Sequence, residues 1–221
     1  MPSWCSNDIT IIGTNEQLTK LKKKVKNTKK EIKEHWDSAE LDFNKCFPCP
    51  EILEKIHSGS SNINGKQYRN WIELDSKGNF VDFLQSREVF TLSIGLEDFH
   101  INQLVEEFGA SCSYDWQIAN YDTKWGATGF FGVDNDFELI KKDKDNTFND
   151  LYKWEVYGDT AWGVAEGLWQ KICNDFSVSM KIQFGGEVDA GIYVCVPESH
   201  ETKESGYVEI DISDLSVGAT S

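Results

Sequence analysis

The chain opens with a pattern typical of a strand followed by a helix. Residues 8–13 are rich in β-branched side chains and end at a glycine, which predicts a first strand. Thr14 and Gln17 then have the residue types and the spacing of a capping box, which marks a helix start. The apolar residues that follow at helical spacing are Leu18, Leu21, Val25 and Ile32. This spacing predicts one helix over residues 14–36, with lysines on its wide polar face.

The last third of the chain alternates strands with one helix. Residues 137–140 and 151–157 flank an acidic turn that contains asparagine, which predicts a β-hairpin. Apolar residues at helical spacing predict a helix over residues 163–175. Residues 178–184 alternate between apolar and polar side chains, as in a half-buried strand. Residues 191–196 follow a glycine pair and predict the return strand.

The middle of the chain has no persistent period. We predict a short helix over residues 51–57 and a packed insertion over residues 62–88, which hold too many large apolar side chains for a disordered linker. Residues 89–94 predict a strand, and residues 96–108 predict a helix that ends at a glycine. Residues 114–125 are interpreted as a loop rich in tryptophan and tyrosine.

The order of these elements predicts the fold class. Strand, helix, long insertion, strand, strand, helix and strand is the βαββαβ order of ferredoxin-like domains. We therefore expect an α+β fold: a ferredoxin-like βαββαβ sheet with extra strands and a large, partly helical insertion between the first helix and the second strand. The core is expected over residues 1–35 and 135–213, with an extra edge strand over residues 207–212. The insertion is expected to pack on it over residues 36–134, and residues 214–221 to form a frayed tail.

Charge restricts the partners of this chain. Its 221 residues carry 37 acidic and 22 basic side chains, a net charge of -15. Residues 20–33 hold eight of the basic side chains, and without residues 1–34 the chain has 14 basic and 33 acidic side chains. A body of this charge repels nucleic acid phosphates and anionic membranes, so direct nucleic acid binding is disfavoured. We expect a partner with a basic surface.

The apolar pattern and the cysteines indicate the compartment. No run of about 18 apolar residues exists, so no membrane span is expected. The first residues also lack a cationic segment followed by an apolar one, so we expect a cytoplasmic protein. Its six cysteines are then expected to be free thiols.

Five blocks of the chain carry a family resemblance. They are residues 1–7 (Met-Pro-Ser-Trp-Cys-Ser-Asn), residues 42–50 (Asp-Phe-Asn-Lys-Cys-Phe-Pro-Cys-Pro), residues 114–116 (Tyr-Asp-Trp), residues 122–125 (Asp-Thr-Lys-Trp) and residues 159–162 (Asp-Thr-Ala-Trp). Together they resemble the YubB-like proteins of phages and plasmids, over most of the chain at intervals. The resemblance implies a ferredoxin-like domain and a mobile-element origin. It therefore implies that the expected basic partner is a host protein and that the compartment is the cytoplasm of the host cell. It implies no specific activity, since none is established for that family.

The same blocks suggest a candidate ligand site. Its residues would be Trp4, Asn44, Trp116, Lys124, Trp125 and Trp162. If these side chains converge, they form an aromatic-lined cleft able to stack a base or a nucleotide, each stack contributing about 1–3 kcal/mol. The alternative interpretation is that the tryptophans supply core area, because a sheet packed against an insertion also needs large rings.

The acidic side chains suggest a different site. The candidate partner-binding residues are Asp134, Asp136, Asp143, Asp145, Asp150, Glu198, Glu201 and Glu204. On one surface they could take the place of nucleic acid phosphates in front of a basic partner. The expected function is therefore that of a non-catalytic mobile-element protein that binds and inhibits a host factor, a component of host defence, through an acidic surface. The alternative is a small-ligand or nucleotide binding module that uses the tryptophan-rich cleft.

Catalytic and metal chemistry have weak support in the sequence. No nucleophile elbow and no phosphate-binding loop are present, so we expect neither an enzyme nor a cofactor. Cys46 and Cys49 have the Cys-x-Pro-Cys form of a redox motif, but the related family has Ile and Met at these positions, which favours apolar fillers. His35 and His57 do not complete a zinc-finger spacing with them, and the acidic turn lacks the EF-hand Gly and Glu, so no metal is expected.

Overall fold

The structure is a computed structural model, which describes residues 3–34, 38–81, 91–132, 136–142, 149–186 and 190–198. These residues form an α+β fold with two antiparallel sheets and six α-helices. In chain order the elements are β1 (Trp4–Gly13), α1 (Asn15–Val25), α2 (Lys29–Glu34), a 3-10 turn (Phe43–Cys46), α3 (Glu51–Glu54), β2 (His57–Ile63), β3 (Lys66–Leu74), β4 (Leu92–Gly95), α4 (Asp98–Phe108), α5 (Ser113–Tyr121), β5 (Lys124–Gly132), β6 (Glu138–Lys141), β7 (Leu151–Ala161), α6 (Glu166–Phe176), β8 (Ser179–Gly186) and β9 (Ala190–Cys195).

The large sheet has the strand order β5-β7-β1-β8-β9, and β6 also pairs with β7. Every neighbouring pair is antiparallel, and β1 lies at the centre, with Ile9 opposite both Val156 and Ile182. Helices α1 and α6 pack on the same face, where alternate residues of β1 such as Ile9 and Ile11 are buried. Residues of β1 that point to the opposite face, such as Ser6 and Asp8, are exposed. Among the described residues, this second face of the sheet carries no helix, and we call it the open face.

An aromatic cluster fills the space between the helices and the large sheet. The ring of Trp169 on α6 lies edge-to-face with Phe43 at 5.2 Å and with Phe130 at 5.7 Å between ring centroids. Phe43 meets Phe130 in the same way at 5.4 Å. All three residues are fully buried. Such pairs add about 0.5–1.5 kcal/mol each to the stabilisation that comes from burying the rings.

The predicted first helix is wrong at its centre. Helix α1 ends at Val25, and α2 begins separately at Lys29. Between them the backbone N–H of Asn27 donates to the carbonyl of Glu40 at 2.8 Å, and its side-chain amide donates to the carbonyl of Ala39 at 3.1 Å. These hydrogen bonds to Ala39 and Glu40 replace the backbone hydrogen bonds that a continuous helix would form at this position.

The middle of the chain holds more regular structure than its pattern predicted. Strands β2, β3 and β4 form a second, three-stranded sheet, where only a packed insertion was expected before the strand at residues 89–94. The turn between β2 and β3 has positive φ at both Asn64 and Gly65, as a two-residue hairpin turn requires. Helix α5 occupies most of residues 114–125, which were expected to be a loop.

Strand β5 lies within residues 36–134, the range assigned to the insertion, yet it pairs with β7 in the large sheet. The hairpin of β6 and β7, helix α6 and the strands β8 and β9 are where the sequence predicted them. The expected edge strand at residues 207–212 and the tail at residues 214–221 lie outside the described residues.

Candidate functional site

The open face of the large sheet holds a cavity of about 820 Å³ where β1, β5 and β7 meet. The side chains that define it are Trp4, Asp8, Trp125, Phe131, Tyr157 and Asp159. We call this cavity the aromatic cleft. It lies on the side of the sheet away from α1 and α6, so solvent reaches it directly.

One wall of the aromatic cleft is a pair of tryptophans. Trp4 begins β1, and Trp125 lies in an irregular part of β5, where the six residues from Lys124 to Gly129 are opposite only the three residues 159–161 of β7. A bulge of this kind re-aims side chains at the rim of a sheet. The two rings have centroids 5.8 Å apart with a 33° tilt, and the residues are 45% and 42% exposed. Both rings are thus available to a ligand.

The second wall is formed by Phe131 and Tyr157. These residues are directly opposite each other on β5 and β7. Their rings stack with centroids 5.5 Å apart and an interplanar angle of 23°. Tyr157 is 46% exposed, so the stack leaves much of its surface open to solvent.

The backbone of two exposed tryptophans is strained. Trp125 has φ 67° and Trp162 has φ 75°, which is left-handed space that bulky residues rarely adopt. Such a conformation costs roughly 1–3 kcal/mol per residue and persists only where the surroundings impose it. Trp162 is 48% exposed, so neither tryptophan recovers that cost by full burial.

Hydrogen bonds from outside the cleft impose this geometry on Trp125. The side-chain amide of Asn44 donates to the carbonyl of Trp125 at 2.8 Å and accepts from the backbone N–H of Ala127 at 2.8 Å. The N–H of Trp125 donates to the side-chain oxygen of Gln117 at 3.1 Å. Gly126 lies between, and a Cβ there would come within 2.1 Å of the Asn44 oxygen. Asn44 and Gly126 together therefore fix the loop that presents Trp125.

Lys124 connects the aromatic cleft to Trp162. Its ammonium lies 4.2 Å from the ring centroid of Trp125, 5.5 Å from that of Tyr114 and 5.9 Å from that of Trp162. A cation between three rings is stabilised by about 0.5–2 kcal/mol per favourable contact, depending on its exposure. Trp162 and Trp4 also border a neighbouring cavity of about 250 Å³. The tryptophans thus form one continuous aromatic surface around the Lys124 ammonium.

Two carboxylates stand in the cleft beside these rings. Asp8 on β1 is directly opposite Tyr157, and Asp159 on β7 is directly opposite Ser6. Both aspartates are exposed. Neither forms an ion pair or a side-chain hydrogen bond with another described residue, whereas Glu155 on the same strand pairs with a lysine at 3.3 Å. The lining carries two negative charges for one positive charge, so the cleft favours cations.

The structure brings together most of the predicted cleft residues. Trp4, Lys124 and Trp125 line the aromatic cleft, Asn44 supports it from outside, and Trp162 adjoins it through Lys124. The prediction for Trp116 is wrong. That residue is buried on α5, where its ring packs against Phe47 at 5.1 Å and Tyr121 at 5.3 Å between centroids. Trp116 lies on the face of α5 that packs against the core.

Four residues of the cleft were missed in the sequence. They are Asp8, Phe131, Tyr157 and Asp159. A signal existed in β1, because Trp4, Ser6 and Asp8 alternate with buried Cys5, Asn7 and Ile9. Their meeting depends on which strands pair and in which register, and no local pattern contains that information.

The acidic candidates do not form one cluster among the described residues. Asp136 lies before β6 and lines a pocket together with Lys22, Lys23 and Lys26, at the C-terminal end of α1. Glu198 follows β9 at the opposite edge of the large sheet, where its N–H donates to Asn174 on α6. Asp150 directly precedes β7 and is half-buried. Asp134, Asp143, Asp145, Glu201 and Glu204 lie outside the described residues.

The cysteines are free thiols in the structure, as expected. Burial raises the pKa of Cys46 and the pKa of Cys49 to about 12 each. A reactive thiol needs a lowered pKa, since the thiolate is the nucleophile. The Cys-x-Pro-Cys segment therefore lacks the electrostatics of a redox site, which agrees with its interpretation as apolar filler.

These raised pKa values predict a loss of stability in alkali. The thiols of Cys46 and Cys49 keep their protons up to about pH 12 when folded, whereas an unfolded thiol loses its proton near about pH 8.5. Their contribution is fully present below that lower value and is lost as the pH rises through the folded pKa. Urea midpoints measured at increasing alkaline pH should fall, and the fall should be smaller for the Cys46→Ala, Cys49→Ala double variant. Fast alkylation of the native thiols at neutral pH would contradict the assignment.

The described part of the chain contains neither a candidate metal site nor a candidate membrane span. No group of three or more His, Cys, Asp or Glu side chains there could hold a metal ion. No helix there is long and apolar enough to cross a membrane. Compared with family models, with curated proteins and with solved structures, the chain has no match.

Proposed function

We propose that this protein is a non-catalytic binding module. It binds a side chain of a basic partner protein in the aromatic cleft. The observation that carries the proposal is the left-handed backbone of Trp125 and Trp162, two tryptophans that are strained and half exposed. Strain of this kind is concentrated at functional sites, where it prepares a surface for its ligand.

Two buried tryptophans of the core support this interpretation by contrast. Trp154 and Trp169 are buried, as expected for rings that supply core area, and neither is among the residues with positive φ. A ring needed only for packing gains its stabilisation from burial. In the free protein Trp125 and Trp162 lack much of this stabilisation, because about half of each side chain is exposed. Burial against a partner would supply it.

The charge of the cleft and of the whole chain supports a basic partner. The net charge is -15, and Asp8 and Asp159 outnumber Lys124 in the cleft. A basic surface would be attracted at long range and then meet aromatic rings, which bind cations on their faces. The sequence predicted the partner-binding carboxylates on an acidic surface elsewhere. We now propose that the carboxylates in contact with the partner are Asp8 and Asp159 of the cleft.

The strand order supports a ferredoxin-like core. β1, α1, β5, β7, α6 and β8 follow the βαββαβ order, and the sheet order β5-β7-β1-β8 has antiparallel neighbours throughout. We propose this core with β6 and β9 as the extra strands. In such an arrangement both helices pack on one face, so the opposite face remains for binding.

The family resemblance of the sequence blocks supplies the biological setting of the proposal. A YubB-like protein of a phage or plasmid would act in the host cytoplasm and bind a host factor there. We propose that the factor is a component of host defence and that binding inhibits it. The aromatic cleft would then cover a basic, functional surface of that factor.

Capture from a bacterial cytosolic extract tests the function. We expect the immobilised protein to retain a basic protein, and the Trp4→Leu, Trp125→Gly double variant to lose it, because both rings of one wall are removed. The Glu107→Gln variant is the matched control, since it changes an exposed side chain on α4 away from the cleft. Equal capture by the double variant would overturn the proposal, and loss of capture only in an Asp136→Asn, Glu198→Gln variant would move the site to the sheet edges.

A nucleotide site is the second candidate, and Lys124 is the observation that favours it. Its ammonium beside Trp125 could meet a phosphate while the base stacks on a tryptophan. The two aspartates oppose this arrangement. Titration with adenosine monophosphate decides between the candidates: binding that weakens in Lys124→Gln and strengthens in Asp159→Asn would favour the nucleotide.

A further inference from the structure

We propose that Asp8, Tyr157 and Asp159 form a subsite for the guanidinium group of an arginine side chain. The guanidinium would lie on the Tyr157 ring and donate hydrogen bonds to both carboxylates. This inference rests on the proposed function and names the group that the basic partner inserts. We call the three residues the guanidinium subsite.

The register of the sheet places the three side chains next to one another. Asp8 is directly opposite Tyr157 across the β1 and β7 pair, and Asp159 is the next residue of β7 on the same face. Directly opposite Cβ atoms in an antiparallel pair are about 4.5–5.5 Å apart, and diagonal neighbours are about 7–8 Å apart. The two carboxylates therefore flank the ring on two sides, at a separation that the width of a guanidinium can bridge.

One face of the Tyr157 ring is turned toward this space. Phe131, which lies opposite Tyr157 on β5, stacks on the ring from the β5 side. The other side of the ring faces β1, where Ser6 and Asp8 are small or polar. A planar cation can enter there without moving a large side chain.

The carboxylates of the subsite lack partners among the described residues. Lys124, the cation of the cleft, forms no ion pair with either of them and lies over the Trp125 ring. Elsewhere on the open face Lys153 pairs with Glu138 at 3.1 Å and with Glu155 at 3.3 Å. In the guanidinium subsite, neither Asp8 nor Asp159 forms an ion pair with a described lysine or arginine.

The chemistry of the subsite distinguishes arginine from lysine. A guanidinium is planar, stacks on aromatic rings and presents five N–H donors that suit carboxylates on two sides. An ammonium is compact, more strongly hydrated and cannot stack as a plane. A ring flanked by two carboxylates therefore favours arginine, and it repels the phosphates of a nucleotide.

Fluorescence titration with two peptides tests the inference on the intact protein. The probes are a short arginine peptide and its lysine counterpart, read through the exposed tryptophans of the cleft. We expect the arginine peptide to bind more tightly, and its affinity to fall by about tenfold in Asp8→Asn and in Asp159→Asn, because each change removes a charge-assisted bond. Tyr157→Leu should weaken arginine more than lysine, and Glu107→Gln should change neither. Circular dichroism checks that each variant is folded.

Each outcome of this titration decides the inference. Equal affinity for the two peptides, or an unchanged affinity in both asparagine variants, would overturn the guanidinium subsite. If the tryptophan double variant still loses the captured partner in that case, the proposed function stands and only the subsite is wrong. If capture is also independent of the tryptophans, both proposals fail. Binding of adenosine monophosphate in preference to the arginine peptide would assign the cleft to nucleotides.

Discussion

Replacing Trp169 by alanine should lower the free energy of unfolding by about 3–5 kcal/mol, the range for large-to-small changes of buried aromatic residues. Trp169 is fully buried, and its ring contacts Phe43 and Phe130 edge-to-face in the centre of the core. Its removal leaves a cavity between α6 and the large sheet that neighbouring rings cannot fill without leaving their own contacts. Since domains are stable by only about 5–15 kcal/mol, the variant should unfold at much lower urea.

Trp162→Ala is the matched control for this loss. It makes the same chemical change, seven residues earlier in the chain, at a half-exposed position. We expect the free energy of unfolding to fall by about 1–2 kcal/mol, clearly less than at Trp169, because about half of this side chain is already in solvent and alanine keeps the same left-handed backbone. Equal losses in the two variants would show that Trp162 stabilises the fold as a core residue does, against its assignment to a binding surface.

Replacing Trp125 by glycine should remove binding while leaving stability nearly unchanged. At φ 67° glycine adopts the left-handed conformation without the strain that tryptophan bears. This relief offsets the lost contacts with Trp4 and Lys124 and the greater entropy of the unfolded chain, each on the order of 1 kcal/mol. The free energy of unfolding should therefore change by less than about 1 kcal/mol, while affinity for the captured partner falls at least about tenfold.

Trp125→Asn separates the relief of backbone strain from the greater entropy that glycine gives the unfolded chain. Asparagine also tolerates left-handed backbone but lacks the large ring, and it leaves the unfolded chain less flexible than glycine does. It should match glycine in lost binding and equal or exceed it in stability. A loss of several kcal/mol with unchanged binding, in either variant, would make Trp125 a structural residue.

Local patterns predicted those elements whose ends are fixed by their own side chains. The capping box at the start of α1 forms as expected, with the N–H of Thr14 donating to the Gln17 side chain at 2.7 Å. Helix α4 ends at Gly109 in the left-handed conformation that the pattern required. The alternation in residues 178–184 predicted β8 because its buried residues face a core made by α6. In each case the information lies within one turn or one strand.

Elements that depend on distant partners were not predicted. β5 contains three glycines and no apolar alternation, and it exists because β7 pairs with it. Gly158 of β7 makes the pairing possible, since a Cβ there would meet the Gly129 carbonyl at 2.5 Å. The strands β2 and β3 are rich in polar residues, so the Asn64-Gly65 turn lacked the flanking apolar pattern that identifies a hairpin.

The candidate site was predicted in part for the same reason. Trp4, Trp125 and Trp162 stand out because tryptophan is rare and large, and Asn44 stands out within a family-like block. Tyr157 and Asp159 are ordinary strand residues until the register places them beside Asp8. Trp116 shows the reverse error, because a conspicuous residue on a helix can face the core.

The most direct test of the aromatic cleft as the binding surface is an NMR titration that follows the indole N–H signals of the eight tryptophans. The arginine peptide is added to the isotope-labelled protein. We expect the signals of Trp4, Trp125 and Trp162 to shift with a common affinity, while those of the buried Trp154 and Trp169 stay in place. Unmoved signals from the three cleft tryptophans, with shifts confined to backbone amides near Asp136 or Glu198, would contradict the account.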